Sequence, residues 1–210
     1  MTRTLLLAAH PDLRLSRVNK ALLQAAQNLA TRQPGLLEVR DLYARYPDYA
    51  IDVRAEQAAA AEADLIVWLH PIHWYAMPPL MKLWLDEVLT LGWAYGHGGR
   101  ALAGKDLWLV ASTGGHEDAY RPDGYNRYFF DAFLPPYDQT AALCGMRMLP
   151  PMLLHGAHGA SDAEIAAHAG VFAQRLADYP AWPELQDLPE CAACEIADAD
   201  RPHLTDIEQG

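Results

Sequence analysis

Residues 64–91 read DLIVWLHPIHWYAMPPLMKLWLDEVLTL, and this stretch decides the fold class. Residues 64–69 form a short apolar run, which is typical of a β-strand that is buried on both faces. A loop rich in aromatic residues and proline follows. Pro78 and Pro79 then open a predicted helix over 80–91, because the first turn of a helix tolerates proline. A buried strand that leads into a helix is typical of a parallel α/β sheet.

The same alternation extends in both directions along the chain. We predict further strands at 4–9, 36–42, Asp106–Ser112 and 147–155, and further helices at 17–31, 54–63 and 161–179, the last with Ser161 as its N-cap. Strands that alternate with helices indicate one parallel sheet covered on both faces. Residues 1–180 are therefore predicted to form one domain. Residues 181–210 are rich in Pro, Asp and Ala without an apolar period, and we expect an extended or disordered tail.

The charge and composition of the chain exclude several classes of protein. Its 210 residues include 16 Lys and Arg against 27 Asp and Glu, a formal net charge of -11. The electrostatic field of such a negatively charged protein repels nucleic acid and anionic lipid, so no nucleic-acid partner is expected. No apolar run reaches the ~20 residues that span a bilayer, and the N-terminus leads into a strand rather than a secretory signal. Three cysteines give no disulfide framework, so we expect a cytoplasmic protein.

Ligands of open parallel sheets bind beyond the carboxyl ends of the strands, so the loops after strands one, three and four should converge. After strand one, the Ser16 hydroxyl lies beside the first turn of a helix, with Arg14 and Arg17 close by. Backbone N–H groups and the helix dipole would make this a phosphate seat. The loop is neither a Walker loop nor a GxGxxG turn. A role for Ser16 as helix cap alone remains the alternative.

The other two loops predict a flat ring beside that phosphate. After strand three, residues 70–79 (HPIHWYAMPP) form a stiff aromatic loop against which a planar ring can lie; a hydrophobic plug over the core is the alternative. After strand four, Gly114 and Gly115 allow close approach of a ligand, and their N–H groups can face a developing negative charge, although such pairs also occur in simple turns. The three loops together favour a mononucleotide with a flat ring, and FMN fits this better than ATP.

Three segments resemble the flavodoxin-like NAD(P)H:quinone oxidoreductases. They are AAHPDLRLSRVNKAL (8–22), DLIVWLHPIHWYAMPPLMKLWLDEVLTLGWAYGHGG (64–99) and ASTGGHEDAY (111–120), and the likeness covers roughly residues 3–179. They are similar to the branch that includes the ancillary proteins of glutathione-gated bacterial potassium efflux systems. The resemblance implies a flavodoxin-like three-layer sandwich with a five-stranded parallel sheet in the order 2-1-3-4-5.

The resemblance also implies FMN, or alternatively FAD, as the cofactor. By position, the phosphate and ribityl chain would be held by His10, Ser16, Arg17, Val18 and Asn19, and the isoalloxazine by Pro71, Ile72, His73, Trp74 and Tyr75. Its pyrimidine side would be bordered by Ser112, Thr113, Gly114 and Gly115. The catalytic groups would be Tyr120 and the amides of Gly114 and Gly115, which stabilise the negative charge of the reduced ring. Asn126 stands where the family has a histidine six residues after that tyrosine, which puts a Tyr–His relay of their kind in doubt.

The activity implied is hydride transfer from NADH or NADPH through the flavin to a quinone-like acceptor, in a homodimer. The substrate wall would include Trp93, Tyr95 and His97, from the same subunit or across a dimer interface, with a structural or exposed role for His97 as the alternative. A second aromatic cluster favours core or dimer packing: Tyr125, Tyr128, Phe129, Phe130 and Phe133. The alternative function is a regulatory subunit that binds and activates a potassium efflux antiporter at the inner face of the cell membrane.

No metal site is expected from the remaining His and Cys residues. Cys191 and Cys194 have CxxC spacing, but no second pair accompanies them, and His203 would be only a third ligand. Cys144 lies in an apolar segment and is predicted to be buried. Structural roles are expected for His70, His155 and His158.

Overall fold

The computed structural model describes residues 2–188 and contains a five-stranded parallel sheet in the order β2-β1-β3-β4-β5. The strands are β1 (Thr4–Ala8), β2 (Leu37–Asp41), β3 (Leu65–Pro71), β4 (Asp106–Ser112) and β5 (Arg147–Leu154). The helices are α1 (Arg17–Arg32), α2 (Leu42–Arg45), α3 (Val53–Glu62), α4 (Pro79–Val88), α5 (Pro135–Leu143) and α6 (Asp162–Asp178). The predicted fold class and strand order are confirmed.

Helices cover both faces of the sheet because its central strands are apolar on both sides. Side chains alternate between faces along a strand, so Val67 and Trp68 of β3 point in opposite directions. Val67 belongs to a buried cluster with α1 and α6, whereas Trp68 belongs to one with α3, α4 and α5. β1, β3 and β4 are buried along their whole lengths. Removal of this apolar surface from water is the main force that holds the three layers together.

Two helices were not predicted from the sequence, and one predicted helix is shorter. The four residues of α2 are too few for a periodic pattern, and α5 buries only Tyr137 and Ala141, so its apolar pattern is weak. The helix predicted over 80–91 ends at Val88. The chain leaves the helix at Leu89, whose ψ of 69° lies outside the helical region.

The predicted start of the tail at residue 181 is too early. Residues 181–188 fold back onto the domain, where the Trp182 ring lies edge-on against Trp108 with 4.8 Å between centroids. The Arg175 guanidinium covers the same indole at 4.9 Å. A single buried aromatic residue therefore anchors a segment that has no apolar period. The rest of the predicted tail, 189–210, lies outside the described residues, as do Cys191, Cys194 and His203.

Within residues 2–188, no helix combines the length and the apolar character needed to cross a bilayer. The same residues contain no cluster of three or more His, Cys, Asp or Glu side chains arranged to hold a metal ion. Cys144 is buried, as predicted, and burial raises the pKa of its thiol to about 12.

A buried carboxylate joins β2, α3 and α4. Glu56 of α3 is fully buried and accepts hydrogen bonds from Arg40 at 2.7 Å, from the Tyr46 hydroxyl, and from the Trp84 indole N–H at 2.9 Å. A buried charge is tolerated only where such partners replace the lost water. Glu56 therefore fixes how α3 and α4 sit against the edge of the sheet.

Replacement of Glu56 by Ala is expected to lower the free energy of unfolding by about 3–5 kcal/mol, because Arg40 then loses its buried partner. Glu38 is the matched control, since it pairs with the same Arg40 at 2.6 Å but its side chain is 46% exposed. Replacement of Glu38 by Ala is expected to cost less than about 1 kcal/mol. Urea denaturation measures both. Equal, small losses in the two variants would contradict a structural role for the buried carboxylate.

Candidate functional site

The loops after β1, β3 and β4 meet at the carboxyl edge of the sheet in one cleft of about 260 Å³. The cleft is lined by predicted residues from all three loops, which are His10, Ser16, Arg17, Val18, Asn19, Pro71, Ile72, His73, Ser112, Thr113 and Gly114. The predicted residues Trp74, Tyr75, Gly115 and Tyr120 do not line it. The expected convergence of the three loops is therefore present in the structure.

The side-chain amide of Asn19 holds two of these loops together. Its Nδ2 donates to the Ser112 hydroxyl at 2.9 Å and to the Ser16 hydroxyl at 3.2 Å. The Ile72 N–H donates to the Ser112 carbonyl at 2.8 Å, so the loop after β3 is tied to the same serine. Asn19 Oδ1 is buried and has no hydrogen-bond partner within the described chain. An unpartnered acceptor is costly to bury, which favours a ligand donor or water at this point of the cleft.

Ser16 both caps a helix and lines the cleft, so its two predicted roles are compatible. Its hydroxyl accepts a hydrogen bond from the Asn19 N–H at 3.1 Å at the start of α1. The amides of Arg17 and Val18 belong to the first turn, where N–H groups have no intrahelical acceptor. These amides and the helix dipole give this end of the cleft a positive potential without a charged side chain.

The two arginines beside this seat are both engaged by carboxylates. Arg17 donates to the Ala160 carbonyl at 2.7 Å and pairs with Asp162 at 2.6 Å, at the start of α6. Arg14 pairs with Asp12 at 2.7 Å. The two arginines expected beside the phosphate seat are therefore paired with acidic side chains, which leaves the backbone N–H groups and the Ser16 hydroxyl as the groups available to a phosphate.

The ring of His10 lies at the floor of the cleft, 6.0 Å from the ring of His73. The Asp12 N–H donates to His10 Nδ1 at 3.1 Å, so a neutral His10 carries its proton on Nε2. Burial and the neighbouring His73 lower the pKa of His10. His10 is thus a neutral hydrogen-bond donor at physiological pH.

The loop after β3 presents an aromatic rim rather than a plug. Trp74 and Tyr75 adopt φ angles of +50° and +65°, a left-handed conformation that costs about 1–3 kcal/mol for such residues. Trp74 is 93% exposed, so the alternative of a plug over the core is not supported. Tyr75 is held from behind by ring stacking on Phe133 at 5.1 Å and by a hydrogen bond to Asn126 Oδ1 at 3.3 Å. This strain and exposure suit a surface that receives a planar ligand.

The loop after β4 has little room for a side chain at Gly114. A Cβ at Gly114 would lie 3.1 Å from His158 Nε2, which is tighter than most real contacts. Tyr120 is buried behind Gly115, and a Cβ on that glycine would lie 3.5 Å from the tyrosine ring. Within the described chain, neither glycine amide has a backbone acceptor. The N–H group of Gly114, which lines the cleft, is therefore available to a ligand.

Sequence analysis missed the loop after β5, which closes the fourth side of the cleft. Ala157 and His158 line it, and His155 Nδ1 lies 2.9 Å from the Thr113 hydroxyl. The rule that loops at the carboxyl edge converge applies equally to the last strand, and would have found these residues. His155 and His158 had been expected to have only structural roles.

The predicted substrate residues do not lie at the cleft of their own chain. Trp93 and Tyr95 are partly buried against the core, and His97 is exposed. All three follow α4, which leads the chain away from the carboxyl edge of the sheet. Their contact with substrate stays a prediction that requires a second copy of the chain.

Comparison with known proteins agrees with this architecture. Residues 2–176 match the family described as flavodoxin-like fold. The chain belongs to this flavodoxin-like family. Among curated relatives, the glutathione-regulated potassium-efflux system ancillary protein KefF of Klebsiella aerogenes is 44% identical over 175 residues, which cover 83% of this chain and 95% of the relative.

Solved structures of the flavodoxin-like family include similar chains. General stress protein 14 from Treponema denticola, solved in complex with FMN, has a TM-score of 0.76 and 38% identity over 83% of this chain and 98% of that one. An NADPH-quinone reductase from P. pentosaceus has a TM-score of 0.73 and 26% identity over 83% and 98%. The fold of this chain is thus one that binds FMN in a similar protein.

Directly beneath the flavodoxin-like cleft, His70 is a fully buried histidine. Its Nδ1 lies 3.0 Å from the Pro71 carbonyl, which can only accept, so Nδ1 carries the proton. Its Nε2 has no partner within the described chain, and the ring stacks on Tyr137 at 5.7 Å between centroids. Burial lowers the pKa of His70 from 6.5 to about 4. The predicted structural role of His70 agrees with this position.

His70 is expected to make the protein sensitive to acid. Its folded-state pKa is depressed, so below pH 6.5 the unfolded chain takes up a proton that the folded chain refuses, and stability is lost progressively towards about pH 4. This loss amounts to about 3 kcal/mol. In His70→Gln the fall in the free energy of unfolding between pH 7 and pH 4 should be smaller by that amount. Urea denaturation across this pH range measures the free energy of unfolding of both proteins. Equal falls in the two proteins between pH 7 and pH 4 would refute the effect. Between pH 7 and pH 8, where His70 is neutral in both states, the difference in free energy of unfolding between the two proteins should stay constant.

Proposed function

We propose that this chain is an FMN-dependent NAD(P)H:quinone oxidoreductase that transfers two electrons as hydride to quinones or similar electrophiles. The observation that carries the proposal is a cleft with a helix N-terminus in its lining, the exposed Trp74 on a strained turn beside it, and, also in its lining, Gly114, whose amide has no backbone acceptor within the described chain. The helix N-terminus suits the phosphate of FMN, the tryptophan suits the face of its ring, and the glycine amide suits the polar edge of the ring. The FMN-bound relative with 38% identity supports the same cofactor.

The residues of the cleft fit FMN better than FAD. The amides of Arg17 and Val18 and the Ser16 hydroxyl would bind the phosphate, and Asn19 Oδ1 supplies an acceptor for a ribityl hydroxyl. The aromatic rim at Trp74 would support the ring. The cleft volume of about 260 Å³ is small, which favours the smaller of the two cofactors, and one ring face would stay open to a substrate.

Bound FMN supplies the hydride chemistry, and the protein positions the reactants. The amides of Gly114 and Gly115 would stabilise negative charge on the polar edge of the ring, since fixed dipoles act strongly in a site that excludes water. Tyr120 lies behind them as a proton donor. The open face would take NADH or NADPH first and the quinone afterwards, which predicts ping-pong kinetics. Trp93, Tyr95 and His97 could contact the substrate only if a second copy of the chain supplied them, so the proposed enzyme is a homodimer. Its proposed location is the cytoplasm.

Reconstitution with FMN is expected to give a yellow protein that consumes NADPH rapidly only when a benzoquinone is present. In Trp74→Ala, loss of ring stacking should weaken FMN binding about tenfold to a hundredfold. The free energy of unfolding of the apoprotein should change by less than about 0.5 kcal/mol, because the side chain is 93% exposed. Fluorescence titration of FMN and urea denaturation measure the two effects.

Phe129→Ala is the matched control for Trp74→Ala. Phe129 is an exposed aromatic residue, at 59%, that lies outside the strained turn after β3 which carries Trp74, so its removal should leave FMN affinity unchanged. A chain that stays colourless after reconstitution would remove the enzyme proposal. Equal weakening in both variants would reject Trp74 as the ring platform.

The second candidate function is that of a regulatory subunit that binds and activates a potassium efflux antiporter. The KefF relative is 44% identical over 95% of its own length, which favours this candidate. Tyr125, Tyr128 and Phe129 are all more than half exposed beside the cleft and offer an apolar surface to a partner protein. Both functions are compatible in one protein, which would then act at the inner face of the cell membrane.

Co-capture with the soluble domain of the antiporter tests the regulatory function. The purified chain is expected to be retained by that domain, and the double variant Tyr125→Ser and Phe129→Ser is expected to lose retention while it still binds FMN. Val171→Ser, on the exposed surface of α6, is the control and should be retained like the original chain. Absence of capture with both apo and FMN-loaded protein would rule this function out.

A further inference from the structure

A groove of about 770 Å³ lies between helix α5 and the edge strand β5, and it shares no lining residue with the cleft. We name it the β5 groove. Its apolar wall includes Leu134, Pro136, Met148, Pro150, Pro151 and Leu188. An exposed apolar surface of this kind marks a place where another segment or another protein binds. The surrounding residues restrict what can occupy it.

The edge strand beside the groove does not favour pairing with another strand. β5 is the last strand of the sheet, so one of its sides has no neighbouring strand within the described residues. Pro150 and Pro151 lie in its middle and have no N–H to donate. The register with β4 also shifts between Trp108 and Val110, opposite these prolines. An occupant is therefore expected to bind through apolar side chains, which argues against edge-to-edge contact with a second copy of the chain.

A series of fixed contacts leads the chain to the β5 groove. Trp182 is buried against Trp108 of β4. Leu185 is also buried, and its carbonyl oxygen accepts a hydrogen bond from the Arg147 side chain of β5 at 3.5 Å. Leu188, the last described residue, packs on the same core and lines the groove. The segment that follows Leu188 therefore starts at the groove wall.

Charge selects which part of that segment suits the groove. Asp131 and Asp138 line the groove, and among the described residues no Lys or Arg side chain does so. In the segment 189–210, Glu190 and Glu195 enclose an uncharged run, CAAC at 191–194. Like charges repel more strongly where water is excluded, and an unpaired charge is costly to bury. The acidic residues are therefore kept out of the groove, while the uncharged run is admitted.

The same run is within reach of the groove. Cys191 follows Leu188 by three residues, and three extended residues span at most about 10 Å. A free cysteine behaves as a small hydrophobic residue, so the whole run can remove apolar surface of the groove from water. Reach and charge thus point to the same four residues.

We propose that residues 191–194 dock in the β5 groove of their own chain and cover the open edge of the sheet. The family match ends at residue 176, so this contact lies outside the part of the chain shared with the flavodoxin-like family. It gives a role to Cys191 and Cys194, whose spacing alone indicated no metal site. The docking needs no cofactor and is independent of the proposed oxidoreductase function.

Disulfide trapping in the full chain tests this contact. The test protein carries Cys194→Ser, which leaves Cys191 in the segment, and Gln139→Cys, which places a thiol on α5 in the groove wall. Cys144 does not interfere, because it is buried and the pKa of its thiol is raised to about 12. A disulfide requires the two Cα atoms to approach within about 7 Å. Oxidised glutathione is expected to give an intramolecular disulfide between positions 139 and 191, detected by peptide mass spectrometry.

Gln24→Cys in the same Cys194→Ser background is the matched control. Gln24 is exposed on α1, which packs on the opposite face of the sheet from α5. The yield of intramolecular disulfide should be at least about tenfold lower there, since docking raises the local concentration of the Cys191 thiol only at the groove. Equal yields at the two positions would overturn the docking. A disulfide-linked dimer whose yield rises with protein concentration would place a second copy in the groove, and would equally overturn docking within one chain.

Hydrogen exchange gives a second readout that needs no added cysteine. The double variant Ala192→Asp and Ala193→Asp puts two charges into the run, where the acidic residues of the groove repel them. The amide hydrogens of α5 and β5 should then exchange at least about tenfold faster, as expected when apolar burial equal to about one side chain is lost. The double variant Ala197→Asp and Ala199→Asp adds the same charge outside the run and should exchange like the original chain. Equal exchange in the two double variants would overturn the docking.

Discussion

The site depends on one buried side-chain amide that joins the loop after β1 to the end of β4. In the sheet, β3 lies between β1 and β4, so β1 and β4 are not hydrogen-bonded to each other and the loops that follow them are not joined by strand pairing. Asn19, in the first turn of α1, reaches across this gap and donates to the hydroxyls of Ser16 and Ser112, while the Ile72 amide binds the Ser112 carbonyl from the strand between them. The position of Asn19 is fixed because α1 packs on the sheet through its apolar face. The core therefore sets the geometry of the cleft.

The protein separates the residues that stabilise the fold from those available to a ligand. The fully buried side chains Trp68, Trp84 and Trp108 belong to the layers between sheet and helices, whereas the loops at the carboxyl edge keep a left-handed turn and an almost fully exposed Trp74. Strain of this kind persists only when the surrounding structure enforces it. Here the stacked pair of Tyr75 and Phe133 and the His73–Ala76 turn enforce it. A stable core thus allows a rim whose backbone conformation is unfavourable by itself.

Local pattern and topology determined what could be predicted from the sequence. Continuous apolar runs predicted the buried strands, and the rule for parallel sheets placed their loops in one cleft. Helix α5 was missed because only Tyr137 and Ala141 mark its buried face, and the anchor at Trp182 was missed because one residue makes no period. The pairing of Arg17 with Asp162 joins residues 145 positions apart, and no local pattern reports such a contact. Long-range pairs of single side chains were the main gap.

The two candidate functions make different demands on neighbouring surfaces, and Tyr75 contacts both. Its backbone belongs to the aromatic rim of the cleft, while its ring stacks on Phe133 and its hydroxyl donates to Asn126, within the segment that carries Tyr125 and Phe129. Asn126 Nδ2 is buried without a partner in the described chain, so this segment is not held by a complete hydrogen-bond network. A ligand that restrains Tyr75 would therefore also restrain the exposed aromatic surface beside it. Under the two proposed functions, cofactor binding and partner binding would therefore be linked through the side chain of Tyr75.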